Sequence, residues 1–491
     1  MITPSSMKVC ILSENTNGAN PHIHYRNLGA SEVTKRIEER NIPCTTIEWF
    51  TKWDKEILYK CVYKYLSGCD QPVIAISVPF VPDDIYLIKD ILLNLKKVLP
   101  NLIIISGGNR TYDKNLADVV DYFFIGRSME IFESWLDNRD LTKFKTKQDN
   151  VFLNNNVDVA IERPVLAYYR DSDLLTPHDV VGFELGIGCR FNCAFCNFDL
   201  RKMHNPKMAN PVLISNTLNE LHEKYGITNF FITDDTINES LEKLQVLADV
   251  VSKLKFKPNL SGYCRLDLLE KPEQQELWKQ IDLAAVFFGI ESFNPEASKL
   301  VRKTGRMNSQ IETLKTLRQL TPNTFLSAGM IIGLTGDSKE HIISSMKYVS
   351  ENNLLDAMQY GVLSIPDMDT DIFDNYMLSD ISKNPEKFGY EITGRRPRED
   401  LSVQAKFEWK NDWCDSKSAE SIYSEVIEYL KKYKISKSDA FEYLSFLSLS
   451  IVRSKEEVKT MNDIVVRKSL SLANKYRAEY IDKKQKQMLG Y

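Results

Sequence analysis

Gly186-Ile187-Gly188-Cys189-Arg190-Phe191-Asn192-Cys193-Ala194-Phe195-Cys196 is the stretch that organises the rest of the chain. Three of the nine cysteines cluster here, while Cys10, Cys44, Cys61, Cys69, Cys264 and Cys414 are scattered. A secreted disulfide framework is shorter and denser in cysteine, so the cluster points to metal and the scattered thiols to small buried hydrophobes. Thiolates are soft donors that suit iron–sulfur clusters or zinc. A four-iron cluster takes one ligand per iron; three cysteines leave one iron open, and reactive metal sites keep such an opening. Phe191, Phe195 and Phe198 would limit water around the group. A structural zinc site with His204 or another residue as fourth ligand is the alternative, although zinc sites more often show paired C-x2-C elements.

The triplet follows a strand-like run, Val181–Leu185. Five more follow: Asn229–Thr233, Asn259–Cys264, Ala284–Gly289, Thr324–Ile332 and Ala357–Ile365. Helical segments such as Val212–Tyr225, Glu239–Leu254 and Ser309–Leu320 lie between them. Six such units over residues 179–384 predict a partial, open (β/α)6 barrel, a fold that places chemistry at the C-terminal ends of its strands. Upstream, residues 1–140 also alternate. Strand runs at Lys8–Leu12, Cys44–Trp49, Val73–Ser77, Leu102–Ile105 and Val119–Ile125 are separated by helical Ser31–Arg40, Lys55–Leu66 and Asp84–Val98. That order implies a Rossmann-like, doubly wound parallel sheet. Residues 141–178 read as a polar linker, and 385–491 as a helical C-terminal domain with helices at Ser416–Lys432, Ser438–Arg453 and Asp463–Tyr480. The fold class is α/β. Phe407, Trp409, Trp413 and Cys414 are expected to pack against the barrel, with a place in the substrate pocket as the alternative.

Bulk properties bound the function. The 491 residues suit two or three domains, and 43% apolar with 26% charged is ordinary for a globular chain. A net charge of −4 gives no general drive toward nucleic acid or anionic membranes. No apolar run approaches the ~20 residues of a membrane helix, and the N-terminus lacks signal-peptide character, so the expected location is the cytoplasm.

Cys189-x3-Cys193-x2-Cys196, with Phe195 just before the third cysteine, resembles the signature of the radical S-adenosylmethionine superfamily. The resemblance covers roughly residues 180–370. It implies a [4Fe-4S] cluster on the three cysteines, S-adenosylmethionine chelated to the open iron, and an electron donor such as flavodoxin or ferredoxin. Thr233-Asp234-Asp235-Thr236 resembles the family segment that meets the amino group of S-adenosylmethionine. Charge-assisted hydrogen bonds suit carboxylates to that role, and capping of the following helix is the alternative. Gly262-Tyr263-Cys264-Arg265-Leu266-Asp267 matches the third-strand pattern; Arg265 would aim a cation into the barrel mouth, or else pair with Asp267. Gly289-Ile290-Glu291-Ser292 resembles the segment that contacts the nucleoside, and Lys303-Thr304-Gly305-Arg306 is also family-like. Met330-Ile331-Ile332-Gly333-Leu334-Thr335-Gly336-Asp337 resembles the fifth-strand segment, with Thr335 and Asp337 replacing the commoner Pro and Glu. Pro366-Asp367-Met368-Asp369-Thr370 departs from the family at the sixth strand.

The first domain is similar to the cobalamin-binding domain of one branch of this superfamily. The resemblance rests on Asn27-Leu28-Gly29-Ala30, Ser77, Ser106-Gly107-Gly108, and Asp121 through Glu130. It implies Ser77, Gly107 and Gly108 as cobalamin contacts. The Asp-x-His-x-x-Gly motif is absent, and His22 and His24 lie nearby without that pattern. Arg127, in Gly126-Arg127-Ser128-Met129-Glu130, would occupy ligand space, and a scaffold that has lost its ligand is the alternative. The implied activity is methyl transfer to an unactivated carbon or phosphorus centre of a small molecule. Radical rearrangement, cyclisation or epimerisation without cobalamin is a second enzymatic reading, and a metal-stabilised binding protein a third.

Overall fold

The computed structural model describes residues 7–15, 21–78, 84–108, 114–126, 128–154, 164–197, 207–304, 306–367, 378–396 and 405–491, with backbone alone at 114, 405 and 460–462. Arg127, Phe198, His204, Gly305 and Met368 to Thr370 lie outside the described residues.

Two six-stranded parallel sheets follow one another. The first is built from β1 (Met7–Ser13), β2 (Cys44–Glu48), β3 (Gln71–Ser77), β4 (Ile103–Gly108), β5 (Tyr122–Gly126) and β6 (Val151–Asn154), in the order β2-β1-β3-β4-β5-β6. Val9, Ile11, Val73 and Phe124 bury one face under helices Leu28–Glu38 and Ser128–Leu136. Cys10, Leu12, Ile74 and Ile104 bury the other under Lys55–Leu66 and Ile85–Val98. Strands buried on both faces need near-continuous apolar runs, and that is what these segments carry. Residues 151–154 fall in the stretch expected as linker, yet they form the sixth strand; Phe123 to Gly126 pair in parallel with Val151 to Asn154.

The second sheet is the predicted open barrel. Its members are β7 (Val180–Phe183) and, after a two-stranded excursion of β8 (Gly186–Ile187) and β9 (Lys207–Met208), β10 (Asn229–Ile232), β11 (Asn259–Cys264), β12 (Ala285–Glu291), β13 (Phe325–Ile332) and β14 (Ala357–Val362). The order is β14-β13-β12-β11-β10-β7, with every pair parallel. Sequential neighbours with helical crossovers put every C-terminal strand end on one rim. The outer helices start on sequence-encoded caps: Asn210 Oδ1 accepts the Val212 N–H at 2.9 Å, with Pro211 in the first turn, and Ser240 and Ser338 cap the helices after them.

The C-terminal region is not purely helical. β16 (Glu391–Arg396) and β17 (Ala405–Lys410) form an antiparallel sheet with β15 (Pro366–Asp367). The aromatic segment packs on the barrel: Trp409 Nε1 donates to Leu363 O at 3.1 Å, and Trp413 Nε1 to Leu334 O at 2.8 Å. Gly333 has φ +97°, and a Cβ there would collide with the Trp409 indole, so this turn requires glycine. Helices Ser416–Lys432, Ala440–Ser448 and the 35-residue Lys455–Leu489 complete the chain. Phe441 and Leu444 pack against Ile23, Tyr25, Val180 and Phe231 at the barrel floor. The last helix spans both units: Lys459 Nζ reaches Asp356 at 2.8 Å, and Tyr480 stacks edge-on against Trp49.

Candidate active site

The cysteine loop leaves the first barrel strand at the C-terminal rim. Cys189, Cys193 and Cys196 are half-buried, and Cys196 N–H donates to Cys193 O at 3.1 Å, a tight turn that brings the last two close. Among the described residues no three His, Cys, Asp or Glu side chains converge as a single-ion site requires. A cluster asks less, since each cysteine binds a different iron. The donor set of three thiols on one short loop fits that group.

Charged side chains hold the loop from two sides. Arg265, buried on β11's end, clasps Asp267 through Nε and Nη2 at 3.0 and 2.9 Å. Its Nη1 donates to Cys193 Sγ at 3.4 Å, and its guanidinium lies 4.0 Å from the Phe191 ring centre. Arg265 thus pairs with Asp267 and at the same time reaches the cysteine loop. On the other side, Asp234 is fully enclosed. Its Oδ1 accepts the Leu185 N–H at 2.7 Å and its Oδ2 the Gly186 N–H at 2.8 Å. Lys243 Nζ sits 2.7 Å from Asp234 Oδ2 and 2.9 Å from Glu239 Oε1, and Glu239 Oε2 accepts the Arg190 N–H at 2.9 Å. The Lys243 side chain is 0% exposed. Burial works against its charge, but Asp234 and Glu239 outweigh that and hold its pKa above the ordinary value.

The Asp pair thus divides. Asp234 supports the loop backbone, and Asp235 is exposed at the strand end, close enough that its charge acts on the Cys189 thiol, which burial pushes up. Neither aspartate caps the next helix, because Ser240 does, accepting from Lys243 N at 3.1 Å. Lys243 and Glu239 were invisible as site residues in the sequence, where a lysine in an amphipathic helix reads as solvated.

Across the rim, Glu291 sits at a β-bulge with φ +70°, a left-handed conformation that a non-glycine residue adopts at a cost of about 1–3 kcal/mol, and such strain gathers at functional sites. Lys303 Nζ lies 3.3 Å from Glu291 Oε1, donates to Gly289 O at 2.8 Å, and hangs 5.9 Å from the Phe195 ring centre. Burial raises the Glu291 carboxyl pKa, and Lys303 opposes that. Ser292 is turned inward: its Oγ donates to Asp337 Oδ2 at 2.6 Å and accepts from Asn294 N at 2.9 Å. It braces the Glu291 turn from behind.

At the strand ends of the first domain, Asn27 Nδ2 donates to Ser13 Oγ at 3.1 Å and to Ser77 Oγ at 2.9 Å, while Asn27 Oδ1 caps the first helix. Gly108 has φ +132°. Among the described residues, a Cβ added to Gly107 would meet Phe124 O and Ser128 Oγ at 3.8 Å, ordinary contact distances, so these neighbours form a cradle that fits close approach of a flat ligand. His22 pairs with Glu442 at 2.9 Å and His24 with Asp179 at 3.0 Å, so both are buried and engaged away from this edge.

The two parallel units in series, with a three-cysteine loop on the barrel rim, define an α/β protein with a Rossmann-like sheet followed by an open barrel. Residues 183–349, the segment that carries the cysteine loop and barrel strands β10 to β13, match the model of the Radical SAM superfamily. Hopanoid C-2 methylase of Rhodopseudomonas palustris (strain TIE-1) is 26% identical over 173 residues, 34% of this chain and 32% of the methylase. The alignment thus spans about a third of the length of that curated relative. Among solved structures, the radical S-adenosylmethionine methyltransferase TsrM from Kitasatospora setae, with cobalamin and a [4Fe-4S] cluster bound, superposes with TM-score 0.65 at 11% identity, covering 94% of this chain and 99% of TsrM. The cobalamin-dependent radical enzyme OxsB gives TM-score 0.60 at 12% identity over 99% of this chain and 84% of OxsB. These two share the whole fold, including the sheet in front of the barrel. Among the described residues, no helix is long and apolar enough to cross a membrane.

Proposed function

We propose that this chain is a cobalamin-dependent radical S-adenosylmethionine enzyme that transfers a methyl group to an unactivated carbon or phosphorus centre of a small molecule. The observation that carries the reading is the three-cysteine loop on the barrel rim, with a Rossmann-like sheet before it and glycines at the end of β4. When bound, a [4Fe-4S] cluster would supply the electron that splits the sulfonium of S-adenosylmethionine, and cobalamin would carry the methyl group. Cys189, Cys193 and Cys196 would hold the cluster. Phe191 and Phe195 restrict water around it, and Arg265 fixes the Cys193 side. Asp235 is the carboxylate offered to the amino group of S-adenosylmethionine, since both oxygens of Asp234 already serve the loop. Glu291, held by Lys303, is placed for ribose hydroxyls, with Ser292 as its support. Ser77, Gly107 and Gly108 form the cobalamin edge. The hopanoid methylase similarity supports methyl transfer over rearrangement, cyclisation or epimerisation. Flavodoxin or ferredoxin would deliver the electron.

Anaerobic turnover of the reconstituted full chain with candidate metabolites tests this reading. 5′-Deoxyadenosine together with S-adenosylhomocysteine is expected; deoxyadenosine alone points to rearrangement chemistry, and purification with one zinc and no iron overturns the radical reading.

A further inference from the structure

Lys243 is a fully enclosed cation near the cysteine loop, and the mechanism above makes no use of it. It bridges two carboxylates that lie on either side of the turn between β10 and the next helix. Each carboxylate spends its remaining acceptor capacity on the loop: Asp234 on Leu185 and Gly186, Glu239 on Arg190. Gly186 lies so close that a Cβ there would sit 3.6 Å from Lys243 Cε. One ammonium thus ties together both strands of contact that set where the loop begins and where Cys189 is presented. Without it, two buried carboxylates would face one another and at least one would turn or neutralise.

We infer that Lys243 is a positioning residue for the cluster. Through Asp234 and Glu239 it fixes the backbone from Leu185 to Arg190, and its charge offsets theirs beside the iron site. The inference rests on the proposed cluster, but half of its test does not. Amide hydrogen exchange on the full chain without iron reads the loop directly. In K243M the Leu185, Gly186 and Arg190 amides should exchange at least ten-fold faster than in the natural protein, with helix Pro211–Tyr225 unchanged, and K243R should restore protection. E239Q should free Arg190 alone, and D234N should free Leu185 and Gly186 alone. Should K243M not fold, this split between E239Q and D234N decides. Uniform exchange across the variants, or K243R behaving as K243M, overturns the inference. After reconstitution, the cluster midpoint potential should move more negative in K243M, where the site loses a positive charge, and stay in place in K243R. A potential that does not move while the amides loosen would reduce Lys243 to a core ion pair and sink the positioning role. Absence of iron in the natural protein would instead sink the functional reading and leave the exchange result standing.

Discussion

The C-terminal edges of the two sheets are held in different ways. On the barrel, backbone N–H groups of the cysteine loop go to carboxylates, and those carboxylates go to Lys243; Arg265 closes the other side on Asp267. On the first sheet, the ends of β1 and β3 are joined by the neutral side chains of Asn27, Ser13 and Ser77, and β4 ends on two glycines. Charge-assisted bonds are shorter and stronger than neutral ones and specify one geometry. That suits a loop whose thiols must bind irons at fixed positions. Neutral bonds and glycine keep an edge in place without a side chain projecting from the end of β4, which suits a bulky ligand laid against it.

The contrast can be broken at its strongest point first. Substituting any one of Cys189, Cys193 or Cys196 with serine should abolish assembly of a four-iron cluster, read as lost brown absorbance and iron content, and cut turnover more than 100-fold. Next comes the Asp pair. D234N should lower stability by about 3 kcal/mol in denaturant titration, because it leaves buried Lys243 short of a partner. D235N should leave stability within about 0.5 kcal/mol while weakening S-adenosylmethionine binding. Equal effects at both positions would erase the distinction drawn between them.

The first domain offers a pH test. Burial lifts the Glu48 carboxyl to about 7, with the Arg26 charge opposing. A carboxyl whose folded pKa lies above its unfolded value favours the protonated fold. Its contribution is therefore fully present below about 4.5 and lost as pH rises toward 7. Denaturation of E48Q against the natural protein should show the variant gaining up to about 3 kcal/mol in relative stability across that window. On the neutral edge the expected effects are smallest. G107A should change stability by less than about 0.5 kcal/mol, since the cradle has room for a methyl, yet it should weaken cobalamin uptake in gel filtration. H22A and H24A should leave that uptake unchanged, because both rings serve Glu442 and Asp179 instead.

Much of this was legible in the residues. Five of the six barrel strands fall where apolar runs stop at Gly, Cys or Asp, and the sixth where its run stops at Pro366, because a strand buried on both faces needs a near-continuous apolar composition. The roles of the polar residues were less so. Asp234 and Asp235 are neighbours in sequence and opposites in environment, since both lie in the turn just past β10, where no periodicity tells which side chain turns inward. Lys243 reads as a surface lysine until two carboxylates from another turn are placed over it. Strands β16 and β17 carry Glu391, Arg395, Arg396, Lys406 and Lys410, so their alternation is too polar to separate from loop. β6 is four residues long, and only pairing with β5 distinguishes it from the linker around it.

The closing helix Lys455–Leu489 has a consequence for how the chain is made. Trp49 and helix Lys55–Leu66 belong to the first domain, and their outward apolar face is covered by Tyr480, Ile481, Met488 and Leu489. Lys64 Nζ even reaches the carbonyl of Leu489 at 2.7 Å. During synthesis that face waits, uncovered, until Tyr480 to Leu489 emerge from the ribosome. The first sheet is therefore completed only after the barrel that follows it has been made.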